Sequence, residues 1–352
     1  MSEDSADREI RVAVIGYGLA GYAFHAPLIE RTPGMRLSFI VTANAERAAR
    51  ARQRHPGATI VDSAERLWER SGEIDLVVVA TPNASHVPLA LAAMRAGLGV
   101  VIDKPLAATA ADGRLLVDEA RSRGLLLSVY QNRRWDGDFL TLRRLIAEGA
   151  LGDVHRFESR FERWRPVPKG GWREHADPAE AGGMLYDLGS HLIDQALVLF
   201  GPATHVYAEL DLRRPGVRVD DDAFVALTHA SGVRSHLWMS AAAADDDGRF
   251  RVLGSKAAYL KSGLDLQEAV LRGASELELG EEPPERWGRL GAGDAWRAIP
   301  TDRGDYAGYY AAIARSLRDG TLPPVDPMDA VAALEIIEAA QRSAATRAVI
   351  AL

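Results

Sequence analysis

Apolar and polar positions alternate in two different ways along this chain of 352 residues. From about residue 10 to residue 130, short apolar runs such as IRVAVIG and GVVIDKP are separated by stretches of helical spacing such as ADGRLLVDEARSRG. One run, IDLVVVAT, is apolar almost throughout, which is typical of a strand that is covered on both faces. Strands that alternate with helices of this length predict an α/β domain with a doubly wound parallel sheet.

The pattern changes after about residue 150. HRFESRFERW, DAFVALTHA and VRSHLWMS alternate polar and apolar residues, which predicts a mainly antiparallel sheet with one face solvated or paired. A helix from about residue 185 to 200 interrupts this region and ends at Gly201 and Pro202. Residues 273 to 304, rich in Gly, Pro and Glu, predict a long loop.

Two further helices are predicted near 305–319 and 327–345. We therefore predict a first domain at residues 1–132 and a second α/β domain at 133–352, with the final helices able to pack back on the first. A helix near 136–148 forms the boundary, because no low-complexity linker separates the two patterns.

Composition and charge narrow the class of protein. A net charge of −7 gives no electrostatic reason to expect nucleic acid as a partner. Cysteine is absent, which excludes disulfides, thiolate metal ligands and a cysteine nucleophile. The polar, acidic start MSEDSADRE does not resemble a secretory signal, and no apolar run approaches the roughly 20 residues that span a bilayer. We expect a cytoplasmic protein that does not engage membranes.

A glycine-rich turn follows the first predicted strand and opens a helix. In such a turn, Gly16 allows the tight bend, Gly18 lets the backbone approach a pyrophosphate, and Gly21 lets the helix pack against the strand. The helix N-terminus then offers free amide groups to the phosphates. We predict a dinucleotide site that includes the whole GYGLAG stretch: Gly16, Tyr17, Gly18, Leu19, Ala20 and Gly21.

The end of the second strand bears on the choice between NAD and NADP. NAD sites usually carry an acid here for the ribose hydroxyls, but this tip reads Val-Thr-Ala-Asn. We favour NADP, with Thr42, Asn44 and Arg47 around the ribose, because no carboxylate repels a 2′-phosphate and the arginine can pair with it. Two alternatives stay open: Glu46 could serve an NAD ribose, and Arg47 could be a solvated helix charge.

Polar residues also end two later strands. Ligands of open α/β sheets bind at the carboxyl ends of the strands, so these tips are candidate cofactor contacts. A lysine at the end of a buried strand costs free energy unless its charge is used, although a surface-loop lysine is the alternative interpretation of Lys104. The predicted contacts at the tips are Thr81, Pro82, Asn83, His86, Asp103 and Lys104.

The segment AGGMLYDLGSHLIDQALVLFG carries the second candidate chemistry. Asp187 and His191 are four residues apart and share a helix face, with Asp194 on the same side. A carboxylate one turn from a histidine can orient the imidazole and stabilise its protonated form, which suits acid–base work near neutral pH. A helix cap or a structural pair is the competing interpretation.

Together these stretches resemble a known family. GYGLAG, ATPNASH, DKPLA and GGMLYDLGSHLID, in that order, resemble the Gfo/Idh/MocA family of dinucleotide-dependent oxidoreductases along nearly the whole chain. The DKP and DLGSH stretches are far more specific than the glycine loop. FHAPLI, QNRRWDGDF and GLDLQE are similar to the branch that contains NADP-dependent scyllo-inositol dehydrogenases.

The resemblance implies an N-terminal Rossmann domain and a C-terminal α/β domain whose large open sheet often mediates homodimers or homotetramers. It implies a Lys104–Pro105 peptide that is often cis, and a glutamate in the family at the position of Asp103, which keeps the charge. The residues that it implies are catalytic are Lys104, Asp187 and His191, and Arg133 is implied to touch substrate. Trp164, Trp172 and Arg173 are further candidates for substrate binding.

The expected activity is NAD(P)-dependent interconversion of a secondary alcohol and its ketone on a polyol or sugar-like substrate. His191 would take the hydroxyl proton, Asp187 would orient it, and Lys104 would stabilise charge on the reacting oxygen. Two alternatives stay open: another reductase on this scaffold, of dihydrodiol, glucose–fructose or bilin type, and a non-catalytic dinucleotide-sensing regulator. No metal is expected, because no ligand spacing such as H-E-x-x-H is present.

Overall fold

A computed structural model describes residues 8–168, 181–245 and 248–352. The described residues form two compact units. The first contains the chain up to residue 132 together with 271–274 and 305–331, and the second contains 133–270, 275–304 and 332–352. Each unit therefore includes segments that are distant in sequence, and the helix predicted near 305–319 belongs to the first unit.

The first unit is built on a six-stranded parallel sheet, as predicted. The run Leu-Val-Val-Val of its central strand is buried at every position, which agrees with a strand covered on both faces. The strands are β1 (Ile10–Ile15), β2 (Met35–Val41), β3 (Thr59–Val61), β4 (Leu76–Val79), β5 (Gly99–Asp103) and β6 (Leu127–Tyr130), in the spatial order β3-β2-β1-β4-β5-β6.

Ten α-helices lie in the described part of the chain, and none of them is long and apolar enough to cross a bilayer. Two of them are preceded by a π-helical turn, at Ala20–His25 and at Leu185–Gly189. The α-helices are α1 (Ala26–Arg31), α2 (Ala45–Arg54), α3 (Ala64–Trp68), α4 (His86–Arg95), α5 (Ala110–Arg123), α6 (Gly137–Ala147), α7 (Ser190–Phe200), α8 (Gln267–Leu271), α9 (Tyr306–Asp319) and α10 (Pro327–Thr346).

The second unit contains a nine-stranded sheet, mainly antiparallel as predicted, in which only the β7–β10 pair among the described strands is parallel. Alternate residues of β7 and β10 face the core, among them Phe157, Phe161 and Leu237. The strands are β7 (Val154–Glu162), β8 (Ala203–Asp211), β9 (Asp222–His229), β10 (Arg234–Ser240), β11 (Gly248–Gly254), β12 (Ala258–Ser262), β13 (Gly288–Ala292), β14 (Ala295–Ile299) and β15 (Ile350–Ala351), in the order β14-β13-β12-β11-β7-β10-β9-β8-β15.

The prediction of a continuous loop over 273–304 is wrong, because residues 288–299 form the β13–β14 hairpin. Its glycines reflect close packing. A side chain on Gly288 would collide with the Tyr259 hydroxyl, and one on Gly291 would collide with the backbone of Ala295. Glycine within a strand often marks such an approach, which composition alone does not distinguish from a loop.

Candidate active site

The glycine loop is fixed against two neighbouring strand ends. Gly16 has a φ of 98°, and a side chain there would collide with the carbonyl oxygen of Ala80. Its N–H donates to the carbonyl of Val41 at 3.0 Å. A side chain on Gly21 would collide with the Gly16 carbonyl, so the turn and the following helix approach each other closely. These contacts require glycine at both positions.

The middle of the loop leaves room for a ligand. A side chain built on Gly18 would meet only Arg47 Nη1 among the described atoms, at 4.0 Å. Leu19 is 47% exposed at the outside of the turn, and Ala20 is half-buried. This cradle of open backbone suits a pyrophosphate, so the residues present fit a dinucleotide.

The side chain of Tyr17, a residue of the predicted cofactor site, is part of the protein core. Its side chain is buried and its ring packs edge-on against Tyr22 and His55, at 5.8 and 5.7 Å between centroids. Burial raises the pKa of its hydroxyl to about 12. Tyr17 therefore builds the core beneath the loop, and only its backbone is suited to contact a cofactor.

The end of β2 leads into a capped helix whose first turn carries the exposed Arg47. Asn44 caps α2 by accepting the N–H of Arg47 at 2.9 Å, while its own N–H approaches the Thr42 hydroxyl at 3.4 Å. The Glu46 side chain is 83% exposed and lies 3.4 Å from Arg50. In the described residues Arg47 is exposed and its guanidinium leans toward Gly18. Glu46, the alternative ligand of an NAD ribose, therefore lies at the surface beside Arg50.

A buried histidine links the ends of β4 and β5. The ring nitrogens of His86 lie 2.9 Å from the carbonyl oxygens of Thr81 and Pro105. Burial lowers the pKa of His86, while the Asp103 charge and the two carbonyls oppose that effect. His86 thus connects the backbone of the β4 tip to that of the β5 tip. Direct contact between its ring and a cofactor stays a prediction.

Thr81, Pro82 and Asn83 form the outer part of the β4 tip. The Thr81 hydroxyl accepts a hydrogen bond from Ser85 at 2.7 Å, and its methyl group is the side-chain atom nearest to a Cβ placed on Gly16. Pro82 is exposed and Asn83 is buried. The tip therefore adjoins the glycine loop, as the parallel sheet order predicts.

Asp103 and Lys104 occupy the β5 tip, and the Lys104–Pro105 peptide is cis, as the resemblance implies. The Lys104 N–H donates to its neighbour's Oδ1 at 2.9 Å. Burial alone would raise the pKa of Asp103, but His25, Lys104 and His86 outweigh it, so the pKa lies below its ordinary value. The tip presents an ionised carboxylate directly beside a lysine.

The Asp–His segment begins with the π-helical turn Leu185–Gly189, which contains Asp187. His191, in the first turn of α7, is buried, and Asp187 is half-buried. π turns are frequent at functional sites. A side chain on Gly189 would lie 3.0 Å from Met239 Sδ, so this glycine lets the segment pack closely on β10.

Asp220 anchors the start of this segment. Its Oδ2 accepts the N–H of Leu185 at 2.7 Å, and its backbone carbonyl accepts that of Met184 at 2.9 Å. Gly183, with a φ of 93°, leaves the space that the carboxylate occupies. Burial raises the pKa of Asp220 to about 6, against the effect of the backbone hydrogen bonds. The sequence did not single out Asp220, which stands in a run of three aspartates.

Asp194, which sequence spacing places on the same side of the helix as Asp187 and His191, pairs with an arginine. It is buried and forms a bidentate ion pair with Arg134, with N–O distances of 2.8 and 2.7 Å. Each of its carboxylate oxygens therefore accepts a hydrogen bond from this arginine.

Arg133 lies at the start of the second unit, where its side chain is 7% exposed. It donates to Asp136 at 3.2 Å and to Glu268 at 3.1 Å, and its guanidinium stacks over the Phe161 ring at 4.5 Å. The predicted substrate contact is thus held rigidly by two acids. Glu268 was not singled out as a site residue, although it ends the GLDLQE stretch noted in the sequence.

Arg163 is a second residue that sequence analysis did not identify. Its guanidinium lies 4.7 Å from the Phe161 ring, half-buried at the end of β7. Burial, together with the charges of Arg165 and Arg133, lowers its pKa to about 10, while Asp187 opposes the shift. A charged group in this environment still carries its proton at neutral pH. No periodicity signals its role, because it stands in a charged stretch with Arg160 and Arg165.

Three further residues are predicted from the sequence to bind substrate. Trp164 is 54% exposed and forms an isolated bridge with Ala242 beyond the end of β7. Trp172 and Arg173 lie outside the described residues.

Comparison with known proteins identifies the family on both halves of the chain. Residues 10–131 match the oxidoreductase family with an NAD-binding Rossmann fold, and residues 139–260 match the GFO/IDH/MocA C-terminal domain.

Relatives match along almost the whole length. The oxidoreductase YdgJ of Escherichia coli K12 is 40% identical over 97% of this chain and 99% of its own. The NADP-dependent scyllo-inositol 2-dehydrogenase IolW of Bacillus subtilis 168 is 36% identical over 97% of this chain and 96% of its own. The structure of the oxidoreductase YvaA of Bacillus subtilis superposes with a TM-score of 0.91, at 35% identity, over 98% of this chain and 99% of its own. The chain belongs to the Gfo/Idh/MocA family of oxidoreductases, with an NAD-binding Rossmann domain at its N-terminus.

Proposed function

We propose that this oxidoreductase interconverts a secondary alcohol and its ketone on a cyclic polyol, with NADP as cofactor and scyllo-inositol as the first candidate substrate. The observation that carries the proposal is the set of reactive groups in one chain: Lys104 beside an ionised Asp103, and a half-buried acid one turn before a buried histidine. The similarity to IolW over nearly the whole length supports the substrate class.

The residues that would hold the cofactor follow from the loop. The backbone around Gly18 would receive the pyrophosphate, and Arg47 would pair with a ribose 2′-phosphate. A bound nicotinamide would supply the acceptor or donor of the hydride. NADP is favoured over NAD because Arg47 Nη1 would lie 4.0 Å from a side chain built on Gly18, close enough to the loop to pair with a 2′-phosphate.

Residues of the second unit would carry out the proton transfer. In the oxidative direction, a ring nitrogen of His191 would take the hydroxyl proton, and in the reductive direction it would return that proton to the carbonyl oxygen. Asp187 would orient the ring and balance its positive charge. The Lys104 ammonium would donate a hydrogen bond to the reacting oxygen and stabilise negative charge that develops on it.

The acidic and basic groups around Phe161 suit a substrate rich in hydroxyls. Glu268 can accept hydrogen bonds and Arg163 can donate them, and both side chains keep part of their surface exposed. The stacking of Arg133 and Arg163 on the same ring limits their motion, so the polar groups are held in fixed positions. Fixed donors and acceptors discriminate between hydroxyl patterns more strongly than an apolar pocket does.

The proposal is tested by steady-state turnover with NADP and NAD against inositols, aldoses, dihydrodiols and a bilin. We expect NADP to exceed NAD by at least about tenfold in kcat/KM, a difference of about 1.4 kcal/mol, with scyllo-inositol among the substrates turned over. Tight NADP binding without turnover on any compound would favour a dinucleotide-sensing regulator. Turnover confined to a dihydrodiol or a bilin would favour another reductase on the same scaffold.

Arg47→Ala tests the assignment of the 2′-phosphate. Loss of one charge-assisted contact of about 1.5–3 kcal/mol should raise KM for NADP roughly 10- to 100-fold and leave KM for NAD nearly unchanged. Arg52→Ala removes an exposed charge from the same helix and serves as the matched control. An equal loss for both cofactors, or none, would assign Arg47 to the solvated helix surface.

A further inference from the structure

A histidine of the FHAPLI stretch, which the proposed chemistry does not use, lies directly behind the β5 tip. His25 is fully buried, and its Nδ1 lies 2.6 Å from the Tyr310 hydroxyl of α9. Its Nε2 has no hydrogen-bond partner among the described residues and lies 3.9 Å from Asp103 Oδ1. The ring also packs on Tyr130, with centroids 4.5 Å apart. A buried polar atom of this kind calls for an explanation, because an unsatisfied donor has a free-energy cost.

The surroundings of His25 determine which ring nitrogen carries the proton. Burial raises the pKa of the Tyr310 hydroxyl well above its ordinary value, so the phenol keeps its proton and can donate to Nδ1. A neutral imidazole that accepts at one nitrogen carries its hydrogen at the other. With Tyr310 as the donor to Nδ1, the N–H of His25 is at Nε2, the ring nitrogen that lies 3.9 Å from Asp103 Oδ1.

All the groups that face Asp103 act on its charge. His25 ends the π-helical turn before α1, His86 begins α4, and Lys104 follows Asp103 in the chain. Tyr310 on α9 faces it from behind His25. Burial would favour the neutral acid, but the two imidazoles and the lysine favour the carboxylate more strongly. The ionised state of Asp103 is thus maintained by its neighbours.

We propose that Tyr310, His25 and Asp103 form a positioning relay behind Lys104. Tyr310 fixes the tautomer and orientation of His25, and the Nε2–H of His25 stabilises the Asp103 carboxylate. That carboxylate accepts the Lys104 N–H at 2.9 Å, so it holds the backbone from which the lysine extends. The link to catalysis, through Lys104 and the reacting oxygen, rests on the proposed function.

The first test measures the relay without any substrate. In full-length protein labelled with ¹³C at aspartate carboxyls, Asp103→Asn identifies the resonance of Asp103, and its titration gives the pKa. We expect His25→Leu to raise that pKa by about one unit or more, since a lost neighbouring charge or hydrogen bond has this effect. His25→Gln, which keeps a donor near the position of Nε2, should recover much of the shift.

His229→Leu is the matched control, because it removes a buried histidine from the second unit that bonds only to Gly201 and Ser235 among the described residues. Thermal unfolding of all variants identifies any that fail to fold, and His25→Gln then decides the question. An unchanged Asp103 titration in folded His25→Leu, or an equal shift in His229→Leu, would overturn the relay.

The second test asks whether the relay serves the reaction. The pH profile of kcat in ketone reduction is measured from about pH 5 to 8, and a loss of rate at the acidic end that depends on His25 reports on Asp103. We expect the acidic limb of kcat in His25→Leu and Tyr310→Phe to move to higher pH by the same amount as the Asp103 pKa, with KM for NADPH unchanged. In an Asp103→Asn background, His25→Leu should add little, because both act through one group.

Independent effects of the two substitutions, or a uniform loss at every pH, would overturn the catalytic part of the relay. A wild-type protein inactive on every polyol would overturn the proposed function instead, while the carboxyl titration would still decide whether the relay exists.

Discussion

Replacing His191 by alanine is expected to lower turnover by about 10²–10⁴-fold, the usual contribution of a general acid–base group, while NADP binding stays intact. The side chain is buried in the first turn of α7, and alanine is a strong helix former, so the backbone of the segment should be preserved.

The measurement combines kcat with NADP affinity by fluorescence titration. His155→Ala removes an exposed histidine of β7 and should leave both quantities unchanged. Turnover of His191→Ala near that of the wild type would remove the residue from the mechanism. A loss of NADP affinity as large as the loss of turnover would instead indicate a disturbed fold.

Lys104→Met is the second substitution with a large expected effect. Methionine keeps the length of the side chain and removes its charge, so the reacting oxygen would lose one preorganised donor. Removal of such a donor lowers kcat by about 10²–10³-fold, or about 2.7–4 kcal/mol in the activation free energy. The loss should appear in both directions of the reaction, because the same oxygen carries the developing charge in each.

Lys256→Met, at an exposed position of the second unit, is the matched control. Lys104→Arg keeps the charge but changes the shape of the donor, and it should recover only part of the activity. A Lys104→Met enzyme that keeps most of its turnover would return Lys104 to the status of a surface-loop lysine.

Much of the first unit was predictable because most of its strands are apolar and separated by clear helical patterns. β3, with three residues, is too short to give such a signal. The β13–β14 hairpin was missed because Gly288 and Gly291 were interpreted as loop residues, whereas they make room for Tyr259 and for a neighbouring strand. A sequence shows that a glycine is present, but the reason for it depends on neighbours that are far away along the chain.

The candidate site also contains some features that the sequence predicts and others that it does not. The glycine loop and the β4 and β5 tips were predictable, since their positions follow from the topology of a parallel sheet. The ion pair between Asp194 and Arg134 was not predictable, because it joins residues 60 positions apart that no local pattern connects. Glu268 and Arg163 could not be assigned either, because their setting depends on packing around Phe161.

The inclusion of residues 305–331 in the first unit has a consequence for how such a protein can be recombined. Ser128 on β6 accepts a hydrogen bond from Tyr309 at 3.1 Å and donates one to the carbonyl of Val325 at 3.0 Å. The last strand of the parallel sheet therefore has hydrogen-bond partners almost two hundred residues later in the chain. A gene fused or exchanged at residue 132 would carry a nucleotide-binding half without these partners. New substrate specificities on this scaffold are therefore more readily acquired by inserting or replacing the segment between two fixed ends than by joining one half to another.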